Sequence, residues 1–128
     1  MTTNTGAPSR LLVVRSWRGV TRTADADAYD AYLHATGYRE YAATPGNLGV
    51  LALRRPLQAT GGVAEEPRTE WLLLTLWESM DAVRRFAGAE PERAVFYPED
   101  DRFLVDRDLT VHHWEIAHRS AFAPVAGP

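Results

Sequence analysis

The 128 residues contain neither cysteine nor lysine. Without cysteine there is no disulfide, thiolate nucleophile, iron–sulfur cluster or cysteine-ligated zinc. Without lysine there is no Schiff base on a protein amine, and all 14 basic residues are arginine. No apolar stretch approaches the ~20 residues of a membrane span. Residues 1–10 have no apolar core of the kind found in a secretory leader. A cytoplasmic protein that avoids membranes is expected. Walker loop, dinucleotide fingerprint, nucleophilic triad and metal motif are all missing. A formal net charge of −3, with a pI near 5.8, argues against a nucleic-acid partner.

What is present is ordinary globular composition, 45% hydrophobic and 24% charged. The length fits one domain, by the usual ~100–200 residues each. Residues 1–9 and 120–128 read as flexible tails around a domain spanning 10–119.

The run from Trp71 to Trp77, Trp-Leu-Leu-Leu-Thr-Leu-Trp, is the most informative stretch. Side chains of a strand point alternately to opposite faces. A strand with one wet face alternates apolar and polar residues, and this one does not. Both faces of its sheet must therefore be covered. About two helices are available, enough for one face. A second copy of the same sheet is the simplest cover for the other, which predicts a homodimer.

The remaining pattern predicts a strand over Leu11–Arg18 and a helix over Ala24–Thr36, capped by Thr23 or Asp25. Tyr29, Tyr32, Leu33 and Thr36 form its inner stripe, and Gly37 ends it. A short turn over Tyr38–Ala42 follows. Further strands are expected at Leu48–Arg54, Trp71–Glu78 and Leu109–His118. Ser79 caps a helix that ends at Gly88. Pro91 opens another short helix ending near Tyr97. Glu99-Asp100-Asp101 reads as a solvated turn. Residues 55–68 lack any period and are expected to form a mobile lid over a pocket. The order β-α-β-β-α-β is the split βαβ arrangement of an α+β, ferredoxin-like fold.

Candidate chemistry is sparse. His112 and His113 fall on the last strand and face opposite ways, so one at most enters a pocket. His113 is the candidate base, because imidazole titrates near neutrality. Arg15 lies mid-strand, where a buried guanidinium needs a partner such as Glu115, Asp101 or a substrate oxyanion. Antiparallel pairing of the first and last strands places Arg15 near His113, where the cation lowers the imidazole pKa. Trp17, Tyr38, Trp71, Trp77, Phe86 and Tyr97 are the candidate walls of a flat slot for an aromatic ligand. His34 reads as solvated.

The junction Trp77-Glu78-Ser79, the helix end Phe86-Ala87-Gly88 and the closing run Val111-His112-His113-Trp114-Glu115-Ile116 resemble the antibiotic biosynthesis monooxygenase group. So do Thr44-Pro45-Gly46-Asn47 and the segment from Ala94 to Asp101. The resemblance covers roughly residues 11–118. It implies a dimeric α+β barrel, with two sheets packed face to face. It also implies a cofactor-independent, metal-free oxygenase that deprotonates an aromatic or polyketide-like small molecule and stabilises the anion. The same fold serves polyketide cyclases, isomerases and haem-handling proteins, so a cyclase, an isomerase and a non-catalytic ligand-binding or haem-binding protein are the alternatives.

Overall fold

A computed structural model describes residues 12–57 and 66–120. Five strands and four α-helices follow in the order β1 (Val13–Arg22), α1 (Ala26–Ala35), α2 (Gly37–Ala43), β2 (Asn47–Leu57), β3 (Arg68–Trp77), α3 (Met80–Ala87), α4 (Asp100–Phe103), β4 (Leu104–Arg107) and β5 (His112–Glu115). A single 3-10 turn, Thr23–Asp25, joins β1 to α1. The sheet is antiparallel throughout, with spatial order β2-β3-β1-β4, and β5 also pairs with β1. The expected ferredoxin-like α+β fold is therefore what the chain adopts, with its last strand divided in two. β4 borders the C-terminal half of β1 and β5 the N-terminal half.

Alternation along β3 sorts its side chains. Thr69, Trp71, Leu73, Thr75 and Trp77 are buried against the helices. Leu72, Leu74 and Leu76 point the other way, onto a face that no described element covers. The pairings Trp17↔Leu73 and Arg15↔Thr75 carry the same sorting into β1. On the helix side the core forms two clusters. Ala26, Tyr29, Leu33, Trp71, Leu73, Phe103 and Leu104 make one. Val13, Tyr41, Trp77, Ala82 and Val83 make the other. By register, the polar pair Arg15 and Thr75 lies between them. The indole N–H of Trp77 donates to Thr75 Oγ1 at 2.8 Å, so the buried tryptophan costs no unmet donor.

Several local expectations are corrected. β1 starts later than Leu11 and runs on to Arg22. The first helix starts at Ala26, and no side-chain bond caps it. The Asp25 carboxylate is taken by Arg22 instead, at 2.7 Å. β2 continues through Pro56 to Leu57, and β3 begins at Arg68, so the ends of the expected 55–68 loop are strand. Pro56 is tolerated because β2 is an edge strand, where a missing N–H breaks no ladder on the free side. The rest of that loop, and its relation to any pocket, lies outside the described residues. So do residues 1–9 and 121–128. Ser79 does cap α3, accepting from Ala82 N at 3.1 Å, and Gly88 ends it with φ of 89°.

The last third differs most. No helix forms between Pro91 and Tyr97. Arg93 instead makes an isolated antiparallel bridge to Thr110, which diverts the backbone from any helical ladder. The acidic triplet is not a solvated turn, since Asp100 is only 5% exposed and begins α4. The strand expected over Leu109–His118 is shortened to β5, and β4 forms ahead of it, where no strand is expected. Val105 bulges out of β4, between the pairs Val20↔Asp106 and Thr21↔Leu104.

Candidate functional site: a buried arginine under a strap

Arg15 is 4% exposed and projects from the N-terminal half of β1 into the layer between the two clusters. Burial lowers its pKa, which the polar groups of Tyr41 and Tyr97 partly oppose. A guanidinium remains charged under such a shift, because its ordinary pKa lies so far above neutrality. Neither carboxylate expected beside it is there. Asp101 is spent on Arg107 at 2.6 Å, and no described carboxylate forms an ion pair with Arg15. Arg15 Nη2 donates instead to two backbone carbonyls, of Arg93 at 2.8 Å and of Pro91 at 3.3 Å. Its Nε is buried and has no partner. Its charge also lies 5.5 Å from the centre of the Phe86 ring, a cation–π contact.

Segment 91–97 therefore runs as a strap over the helix-facing side of β1. Two backbone bonds tie it down, Ala94 N to Leu109 O at 3.0 Å and Val111 N to Glu92 O at 2.8 Å. Further along, Tyr97 N donates to Asp100 Oδ2 at 2.6 Å. Beneath the strap is a cavity of about 30 Å³ whose lining includes Arg15, Trp17, Tyr41, Phe96, Tyr97 and Asp100. That is room for a water or two, not for the ~300–1,000 Å³ of a typical ligand site. The Tyr97 hydroxyl is buried with no partner. Burial raises the pKa of Tyr97 and also that of Asp100, and it pushes Tyr41 up to about 12. The three tyrosines Tyr29, Tyr41 and Tyr97 are thus protonated donors at neutral pH.

His113 is the cross-strand partner of Arg15 and shares its helix-facing side, while His112 faces the other way, opposite Ser16. Its Nε2 is buried without a partner. Its pKa is lowered first by burial, then by Arg15, against an opposing pull from Glu92. The imidazole is consequently neutral near pH 7. His113 is not among the residues lining the small cavity; among the described residues, Arg15 is the one basic side chain there.

The aromatic candidates separate. Trp17 and Tyr97 line the cavity, with the Trp17 ring edge-on to Phe96 at 6.2 Å. Trp17 lies flat over Gly19, where a Cβ would come within 2.3 Å of the indole. Gly19→Ala is therefore expected to push the ring out of the cavity wall. The test is the Trp17 indole N–H resonance, whose bond to Asp108 O at 2.8 Å would be lost. Trp71 and Trp77 are core residues of the two clusters. Phe86 packs on Tyr41, Trp77 and Arg15. Tyr38 bridges the clusters at their edge and donates to Asp30. His34 is exposed and pairs with Asp30. Sequence reasoning missed the role of Asp100, whose carboxylate accepts from Tyr97 N across three residues, a pattern that an acidic triplet disguises.

A larger hollow of about 470 Å³ lies along Arg18, Leu53, Arg54, Arg55, Glu70 and Leu72. Its charges are already matched, because Glu70 accepts from both Arg18 and Arg55, and Arg54 pairs with Asp27. Among the described residues, none of its side chains holds a buried polar atom without a partner, whereas Arg15 does, so the chemistry points to the Arg15 site. No group of three potential metal ligands occurs among the described residues. Among them, no helix is long and apolar enough to cross a membrane.

An antiparallel α+β sheet with one covered face and a buried arginine is the class that this geometry defines. Solved structures share the fold. A Bacillus cereus protein assigned as a candidate antibiotic biosynthesis monooxygenase aligns with TM-score 0.58 and 12% identity, over 88% of this chain and 99% of that one. HapK from Hahella chejuensis aligns with TM-score 0.51 and 16% identity, over 88% and 99%. The chain thus has the fold of the antibiotic biosynthesis monooxygenase-like proteins. No protein-family profile matches it, and neither does any curated sequence.

Proposed function

We propose that the protein is a cytoplasmic, cofactor-independent oxygenase acting on an aromatic or polyketide-like small molecule. Arg15 carries the reading. It is a buried cation with no carboxylate partner among the described residues and with one N–H unmet, beside a histidine that is neutral at pH 7. Desolvating a charge without an opposite partner is costly, and a site keeps such a charge where an anion arrives or develops.

In this reading neutral His113 takes a proton from an acidic phenol or carbon acid. Arg15 and the Tyr97 hydroxyl stabilise the resulting anion, and Trp17 and Phe96 face its ring. The electron-rich anion then reacts with dioxygen. For anthrone the balance is one dioxygen consumed, one oxygen atom incorporated to give the quinone, and the other released as water with the two hydrogens lost. The uncovered sheet face, with Leu51, Leu53, Leu72 and Trp114 exposed, supports a homodimer formed by stacking two sheets about 10 Å apart.

The test is oxygen uptake with anthrone as the probe, with no flavin or metal added. Uptake above the buffer rate, one dioxygen per quinone, is expected. Anthrone turnover without uptake would mark an isomerase instead, and no turnover at all would overturn the oxygenase.

A further inference from the structure

The edge of Arg15 that holds the strap is also the edge that would hold a ligand. Nε and Nη2 lie on one side of the guanidinium and form the fork that a carboxylate accepts bidentately. Nη2 is occupied by the Pro91 and Arg93 carbonyls, and Nε is vacant. We propose that the site takes an aromatic carboxylate, whose two oxygens displace the strap carbonyls from Arg15 and so open the cavity. This rests on Arg15 being the anion site of the proposed function, and it adds a carboxylate to the ligand and a latch to the arginine.

Three observations converge. The cavity of about 30 Å³ holds no aromatic ring as it stands, so entry requires a wall to move. The wall that can move is the strap, which has no helix or named strand and is tied by few backbone bonds. Its contact with Arg15 is a pair of neutral carbonyls, which bring no opposite charge, whereas a carboxylate on the same donors adds the attraction of a full ion pair and a bidentate fit. An arriving carboxylate therefore outcompetes the strap for the same donors. A phenol that reaches the site uncharged has no such advantage.

The absence of cysteine makes a clean lock possible. Arg93 and Thr110 form a non-hydrogen-bonded antiparallel pair, flanked by the bonds at Ala94 and Val111. Such pairs have Cα atoms ~4.5 Å apart, within disulfide range, and both residues are exposed. The experiment titrates 1-naphthoate and 1-naphthol into the whole protein by calorimetry near pH 7, and follows amide exchange at Ala94 and Val111. Naphthoate is expected to bind at least about tenfold tighter than naphthol and to speed exchange at both amides. The oxidised Arg93→Cys/Thr110→Cys protein is expected to lose naphthoate binding at least about tenfold and to regain it on reduction. Arg15→Met is expected to abolish the preference for naphthoate. Equal binding of the two probes, no naphthoate binding, or unimpaired binding by the oxidised lock overturns the proposal. These readouts are independent of oxygen uptake. Anthrone oxidation without a naphthoate preference would remove the carboxylate and keep the oxygenase, and the reverse result would do the opposite.

Discussion

His113→Ala should abolish turnover while leaving the thermal midpoint within a few degrees. The imidazole is only half-buried and its Nε2 makes no hydrogen bond, so little folding energy rests on it. General-base catalysis contributes ~10²–10⁴-fold, and a loss of that size in kcat/KM for anthrone is the expected result. Unchanged activity would remove His113 from the chemistry. The wild-type pH profile should show an acid limb with its midpoint below 6.5, because burial and then Arg15 hold the imidazole pKa down. That limb should vanish in the variant. The same group affects stability with a defined sign. Its folded pKa is depressed, so the unfolded chain binds the extra proton first. The stability associated with neutral His113 is complete above pH 6.5 and is lost as the pH falls from there through the lower folded value. A denaturation series across pH 5–8, run on both proteins, reads the difference.

Two neighbouring residues should behave in opposite ways. Trp71 is 1% exposed in the first cluster, and Leu72 is 38% exposed on the uncovered face. Trp71→Asp removes a side chain worth ~3–5 kcal/mol in a core and buries an unpaired carboxylate. It also strands the Thr21 hydroxyl that accepts from the indole at 3.1 Å. Against a total stability of ~5–15 kcal/mol, unfolding or aggregation is expected. Leu72→Asp should leave the subunit folded, since exposed substitutions usually change stability by only about 0.5 kcal/mol. It should nevertheless halve the mass seen by light scattering, because a charge on each sheet then faces its own copy. Wild-type protein already at one subunit mass at micromolar concentration would sink the dimer.

These contrasts follow from alternation, which is why β3 was legible in the sequence. Its period of two, the apolar residues at both parities and the Ser79 cap are local features. The site was less legible, because what decides it is not local. Pro91 has the right form to start a helix, but the carbonyls of Pro91 and Arg93 are claimed by an arginine 76 and 78 residues earlier in the chain. Asp100 looked solvated because its neighbours are acidic, while its own side chain turns back to Tyr97 N. The division of the last strand was hidden for a related reason. Asp106-Arg107-Asp108 breaks the apolar pattern, yet Arg107 lies over the Phe96 ring at 4.9 Å. The pairing of Arg15 with His113 was readable, because fold order and strand register alone bring them opposite.

The outer edge of β2 has a consequence for how molecules can join. Along its eleven residues, alternate backbone groups face outward with no partner among the described residues, the kind of rim along which protein chains polymerise. Here the rim is interrupted at both ends. Leu48 bulges beside Gly49, whose φ is 148°, and Arg54-Arg55-Pro56 set two cations and a residue without an N–H at the other end. A newcomer strand would find only a short regular stretch between these stops. Growth by strand addition is open-ended and leads to fibres, whereas stacking across a twofold axis consumes the sticky surface in one step and terminates. The irregular rim thus biases the molecule towards a finite assembly even when its leucine-rich face is exposed.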